Sequence, residues 1–227
     1  MADVFRRTML TALLGVVAGT AVAQIPPDAQ EVAAYQGLHR AAHEGDAAAI
    51  VRLAGARAPL EARDLRGRTA FHVAAYAGRH AAMRALAAAG ADMRALDAQD
   101  YDAITIAAVA DDVETLDLAI ALGGDPRAIT SPYRGTALIA AAHLGHDGVV
   151  GRLIKAGAPL DHVNNLGWTA LIEAVVLGQG GPRHVATARA LVAAGARRDL
   201  GDRGGVTPLQ HARARGYGAM VTVLEAP

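Results

Sequence analysis

Apolar residues recur along the chain in short helix-sized blocks, each closed by glycine. The block Gly67-Arg68-Thr69-Ala70-Phe71-His72-Val73-Ala74-Ala75-Tyr76-Ala77-Gly78 returns as Gly135-Thr136-Ala137-Leu138-Ile139-Ala140-Ala141-Ala142-His143-Leu144-Gly145. It returns again as Gly167-Trp168-Thr169-Ala170-Leu171-Ile172-Glu173-Ala174-Val175 and as Gly205-Val206-Thr207-Pro208-Leu209-Gln210-His211-Ala212. Thr69 and Thr136 are 67 residues apart, Thr136 and Thr169 33, and Thr169 and Thr207 38, which sets a period near 33. A second block follows the first, as in Leu86-Ala87-Ala88-Ala89-Gly90-Ala91-Asp92, Leu153-Ile154-Lys155-Ala156-Gly157-Ala158-Pro159 and Leu191-Val192-Ala193-Ala194-Gly195-Ala196. Glycine there suits the left-handed residue that ends a helix. Each unit is therefore predicted as turn, helix, tight link, helix and glycine stop, in an all-α chain. Gly37-Leu38-His39-Arg40-Ala41-Ala42-His43-Glu44-Gly45 and Tyr101-Asp102-Ala103-Ile104-Thr105-Ile106-Ala107-Ala108 fit the same register. Threonine caps the first helix, the alanine pair lets neighbouring helices approach, and the leucine columns stack into one core. No single unit could bury its apolar face alone.

These residues resemble the ankyrin repeat family, whose pattern of Gly, Thr-Pro-Leu-His, Ala-Ala, Gly-His and Leu-Leu-x-x-Gly-Ala is matched with substitutions from about Ala33 to Glu225. The resemblance implies a solenoid of about six helix-turn-helix units, near 33–63, 64–96, 97–130, 131–163, 164–201 and 202–227. It also implies a non-catalytic module that binds a protein partner in its concave groove. The motif histidines His39 and His72 then bond backbone between repeats, and His80 and His146, just past the link, are structural. In the family pattern the turn tips and the last residues of each first helix line the groove. On those positions fall Tyr35, Tyr76, Tyr101, Tyr133 and Trp168, accompanied by His43, Arg66, Arg68, Gln99, His143, Leu144, Asn165, Leu166, Val176 and Leu177. Tyr217 lies outside these columns. Aromatic residues and arginine dominate binding hot spots, so this set is the expected partner surface.

Two units depart from the pattern. Unit three has Asp102 and Thr105 where the motif has Thr and His, and Asp111 in place of the inter-helix glycine. Aspartate can cap a helix and tolerates left-handed backbone, which is the first reading of the group Asp97, Asp100, Asp102, Asp111 and Asp112. An acidic docking patch or a weak divalent-ion site is the second. The alternate-oxygen ladder of an EF-hand is absent, and no histidine lies in this unit to act as a base. Unit five carries about five extra residues, and Gly178-Gln179-Gly180-Gly181-Pro182-Arg183-His184 sits where the other units have only a tight inter-helix link. Gln179, Arg183 and His184 are candidate loop contacts; a tolerated insertion and a phosphate cradle are the other readings. A Walker loop is missing, since Lys155 is the sole lysine of the chain.

Composition narrows the function class. Among 227 residues, 22 Lys+Arg balance 22 Asp+Glu, so no basic surplus exists for binding nucleic acid by phosphate neutralisation. A hydrophobic share of 52% does not fit a disordered chain. The absence of cysteine removes disulfides, thiolate metal sites and cysteine nucleophiles. There is no H-E-x-x-H, and Ser131, the one serine, lacks a nucleophile elbow. No catalytic residue, metal or cofactor is expected. Met1 to Ala23 reads as a cleaved signal peptide: Arg6-Arg7, the apolar run Met9 to Ala18, and the small-residue box Ala21-Val22-Ala23. That run falls short of the roughly 20 residues that span a bilayer, and no later segment does better, so no membrane insertion is expected after cleavage. Phe5-Arg6-Arg7-Thr8-Met9-Leu10 also resembles a twin-arginine signal, which leaves the export route open. The mature chain is expected to be a periplasmic or secreted monomer that starts at Gln24 with a tether over 24–32. Some exported bacterial ankyrin proteins support or protect periplasmic enzymes such as catalase, and this chain resembles that group in having a signal followed directly by repeats, which implies such a role as an expectation. The alternatives are an inhibitor or immunity protein for a secreted enzyme, and an enzyme using the unit-three carboxylates with His143.

Overall fold

The computed structural model describes residues 24–226, so the signal-peptide reading of 1–23 lies outside the described residues. A short helix α1 (Ala29–Ala34) precedes six helix pairs. These are α2 (Gly37–Glu44) with α3 (Ala47–Gly55), α4 (Ala70–Tyr76) with α5 (His80–Ala89), and α6 (Ala103–Val109) with α7 (Val113–Ala121). They continue with α8 (Ala137–Leu144) and α9 (Asp147–Lys155), α10 (Ala170–Val176) and α11 (Pro182–Ala193), and α12 (Pro208–Ala214) and α13 (Gly218–Glu225). First helices pack on first helices and second on second, from α2 through α12 and from α3 through α13. This is a helix-turn-helix solenoid, the all-α class expected from the repeat. Among the described residues no helix is long and apolar enough to cross a membrane.

The recurring residues take the positions their chemistry demands. Phe71, Ile104, Leu138 and Leu171 are buried under the first helices, and Leu86, Ala119, Leu153 and Leu191 under the second. Thr136, Thr169 and Thr207 accept the third amide of their helices, and Asp102 does the same for α6 through a 2.7 Å bond from Thr105 N–H. At the inter-helix link the backbone is left-handed, with Gly45 at φ 80°, Gly145 at φ 68° and Asp111 at φ 57°. Aspartate thus fills the glycine position, as the sequence suggested for Asp111.

The stretch 24–32 departs from a plain tether. Asp28 and Glu31 close a capping box on α1, and Glu31 then reaches unit two, where its Oε1 lies 2.7 Å from Arg66 Nε. A capping box and ion pairs to unit two thus give the end of the predicted spacer a turn of helix.

A second element, invisible in the apolar pattern, builds the rim of the solenoid. Asp64 Oδ1 accepts the amides of Arg66 and Arg68, each at 2.9 Å, and holds the turn before α4 as a hairpin-like finger. Asp97, Asn164 and Asp202 repeat this with the amides two and four residues ahead. Neighbouring fingers are joined through Ala98 N–H to Arg66 O, Ser131 N–H to Asp100 O and Asn165 N–H to Tyr133 O. Gly67 must stay small, since a Cβ there would sit 2.8 Å from the Ala98 amide nitrogen.

Candidate functional site

On the finger tips and the last turns of the first helices, the positions that line the groove in the family pattern, the candidate residues divide into exposed and enclosed groups. Leu144, Leu166 and Leu177 are 40%, 42% and 36% exposed, and Gln179 and Asn165 are also exposed. Asn165 Nδ2 donates to Pro132 O at 3.3 Å. Half-buried are His43, Arg66, Tyr76, Gln99, Tyr133, His143, Trp168 and Val176. The Tyr76 hydroxyl is enclosed without a hydrogen-bond partner.

Three residues expected on the partner surface are corrected to the interior. Arg68 is 1% exposed because Asp64 Oδ2 at 2.6 Å and Glu31 Oε2 at 3.0 Å neutralise it in place. Tyr35 is 6% exposed and donates its hydroxyl to Asp64 at 2.9 Å; burial first, then this bond to the carboxylate, pushes its pKa up. Tyr101, also 6% exposed, lays its ring into the core cluster, and its pKa is raised by that burial and by the Asp97 charge.

The aspartates grouped in unit three take structural positions. Asp97 holds a finger, Asp100 takes a left-handed turn at φ 60°, and Asp112 caps α7 through Thr115 N–H at 2.9 Å. Asp102 is enclosed in its own cap, and burial pushes its carboxyl above the ordinary range. Among the described residues no three His, Asp or Glu side chains converge as a metal-holding group. His143, paired on sequence grounds with these carboxylates, instead turns to a residue the sequence reading did not single out: its Nδ1 lies 3.2 Å from Glu173 Oε2. The motif histidines act as the family pattern implies. His39 Nε2 bonds Arg68 O at 2.9 Å and His72 Nε2 bonds Tyr101 O at 3.1 Å. His72 Nδ1 accepts Thr69 N–H, which places its proton on Nε2, and burial lowers its pKa. His80 and His146 are likewise tied, to Thr115 Oγ1 and to Ala108 O, each at 2.9 Å.

The insertion of unit five is anchored along the stack. Arg183 pairs with Asp147 at 2.9 Å and Asp111 at 2.7 Å, joining units three, four and five. His184 Nε2 donates to His143 O at 2.9 Å, and its ring fills the space a Cβ would need at Gly145 and Gly178. Arg183 and His184, expected as loop contacts, are therefore occupied with structural partners. Tyr217, the residue before α13, packs on this loop, donating to Gly178 O at 3.3 Å with its ring against Gly180.

A family model for ankyrin repeats, in three copies, matches residues 38–128 and 104–196. The ankyrin repeat protein YahD of Escherichia coli K12 is 36% identical over 95 residues, which are 41% of this chain and 47% of that protein. The chain thus aligns with about half the length of that relative. The crystal structure of an ankyrin repeat domain from Acinetobacter baumannii AYE superposes with a TM-score of 0.77 at 41% identity, over 82% of this chain and 95% of its own. EF0377, an ankyrin repeat protein, gives 0.76 at 26% identity over 84% of this chain and 98% of its own. The human ASB11 ankyrin repeat domain, at 19% identity and a TM-score of 0.68 over 85% of each chain, shares the fold.

Proposed function

This chain belongs to the ankyrin repeat family, and from that premise we propose that it is a non-catalytic module of the bacterial envelope that holds a partner protein in the C-terminal half of its concave groove. Ankyrin repeats are in general protein-interaction modules. The observation that carries the narrower reading is that units four and five leave Leu144, Leu166 and Leu177 exposed and Trp168 half-buried at the finger and first-helix-end positions. Exposed apolar patches mark contact surfaces, and tryptophan is the side chain most often found to dominate one. The finger that presents Leu166 and Trp168 is fixed by Asn164, whose Oδ1 accepts both their amides at 3.0 Å. A preformed surface loses little entropy when it is covered.

Trp168→Ala is expected to weaken capture of the partner from envelope extract by about 30-fold, which corresponds to about 2 kcal/mol. The unfolding midpoint, measured in parallel, should stay near that of the parent. Val51, 62% exposed on α3 away from the groove, is the control, and Val51→Ala should leave capture intact. If Val51 matters and Trp168 does not, the partner sits elsewhere. Were the captured protein an enzyme that loses activity on binding, the module would act as an inhibitor.

The envelope assignment is supported by the residues before Gln24, whose n-region, apolar run and Ala21-Val22-Ala23 box fit a signal peptide. Protein recovered from the envelope should begin at Gln24 by intact mass. A retained Met1 would remove the assignment.

A further inference from the structure

Resting on that groove reading, we infer that the partner offers the C-terminal half of the groove a basic side chain flanked by apolar ones, drawn to the buried carboxylate of Glu173. The Glu173 side chain is 4% exposed, in a column that holds Val73, Ile106 and Ala140 in the three preceding units. The fold therefore has no need of a charge there. Enclosing a carboxylate is costly unless it is paired and fully bonded, and Glu173 is bonded at one oxygen only. Oε1 accepts Asn164 Nδ2 at 2.9 Å, while Oε2 is enclosed and accepts no hydrogen bond, with His143 Nδ1 at 3.2 Å beside it. Among the described residues no arginine, and not the one lysine, forms an ion pair with Glu173.

The surroundings are arranged for one negative charge. Where Asp64, Asp97 and Asp202 hold the other fingers, unit five has the neutral Asn164, so this finger position adds no second carboxylate beside Glu173. Unit six shows the closed version of the same pair of positions: Asp202 Oδ2 lies 2.8 Å from His211 Nε2 within the unit. In unit five the partner of the carboxylate comes from the groove side. His143, with 36% of its side chain exposed, brings Nδ1 to 3.2 Å from the enclosed Oε2. Leu144 follows it in sequence, and Leu177 lies one helical turn beyond Glu173, so the carboxylate is edged by exposed apolar surface. A lysine or arginine entering past His143, which pairs with Glu173 as a cation only when protonated, would supply a permanent charge, and its apolar neighbours would cover Leu144 and Leu177.

The test is selection of a random peptide display library against the full chain. Recovered peptides are expected to share an arginine or lysine between apolar residues. Glu173→Gln, which keeps shape and removes charge, should weaken a recovered peptide by at least about tenfold. Exchange of the peptide's basic residue for norleucine should weaken it to a similar degree, and this second variant leaves the protein untouched. Recovery of no peptide, of peptides without a basic residue, or of peptides indifferent to both changes overturns the inference. Trp168→Ala separates the two levels: peptides lost with Trp168→Ala but kept with Glu173→Gln would leave the groove reading standing and end the charge pairing. Peptides indifferent to both substitutions would remove the groove reading as well.

Discussion

Arg68→Ala is expected to lower stability by about 3 kcal/mol, the lower end of the range for stranding the partners of a buried ion pair. Arg68 is 1% exposed and holds Asp64 and Glu31, whose side chains are 9% and 15% exposed; it also donates to Ile25 O at 3.3 Å. Its removal leaves two carboxylates and the Tyr35 hydroxyl around a vacant, poorly hydrated space, with Arg66 alone to balance them. The lower end applies because both carboxylates keep some contact with water. The pH dependence carries the same signature. Burial would raise the Glu31 carboxyl, but the Asp28 amide and the Arg68 and Arg66 guanidiniums outweigh it and hold the pKa below the usual value. Asp64 is lowered by the same contest, with burial opposed by the Arg68 amide and guanidinium and by Tyr35. Carboxyls lowered in the fold contribute stability that is present above their unfolded pKa of about 4 and is lost as pH falls through the folded value. Urea unfolding of the parent should therefore weaken through that acid window, and the Arg68→Ala curve should be flatter across it. Hydrogen exchange should show units one and two opening first, since each unit leans only on its neighbours. A loss under about 0.5 kcal/mol, the scale of a bland surface change, would mean that Arg68 is no structural centre.

Arg68 also marks the limit of what repetition reveals. The 33-residue period encodes the solenoid because the same apolar columns return in each unit, and stacking is the one way to bury them. Register assigns a residue to a column, yet it does not say which way the side chain leans. Tyr101 and Trp168 each stand one residue before a cap, at Asp102 and Thr169, but the tyrosine ring folds back into the core while the tryptophan is half-buried. Arg68 reads as a surface cation until Glu31, from before the first full unit, is placed beside it, and that contact has no counterpart in the repeat. Glu173 was open to detection: a carboxylate in the column of Val73, Ile106 and Ala140, opposite an asparagine where other fingers have aspartate, breaks two patterns at once. The insertion shows the reverse. Its glycines and arginine looked available for a ligand, whereas Arg183 closes onto Asp111 and Asp147, carboxylates brought near only by stacking.

Leu153→Ala should cost about 2–5 kcal/mol, from lost transfer free energy and from a cavity that rigid helices on either side cannot fill. Leu153 is fully buried on α9, in the column of Leu86, Ala119 and Leu191, with packed units on both sides. Its position in unit four gives the change a second consequence. Stability in a solenoid is a sum of unit terms and nearest-neighbour terms, so a cavity here weakens the contacts α7 to α9 and α9 to α11 together. Urea unfolding should then broaden or split, with the units before α8 and those after α9 losing helix at different denaturant concentrations. The C-terminal half holds Trp168 and Glu173, so partner capture should fail at lower urea than the loss of total helix signal. Leu224, 3% exposed on α13, has a packed unit on one side only among the described residues, and Leu224→Ala should cost less and leave the transition single. Equal costs at the two sites, with one sharp transition in both variants, would show that the chain unfolds as a single block and that the central unit is no more a bridge than the end.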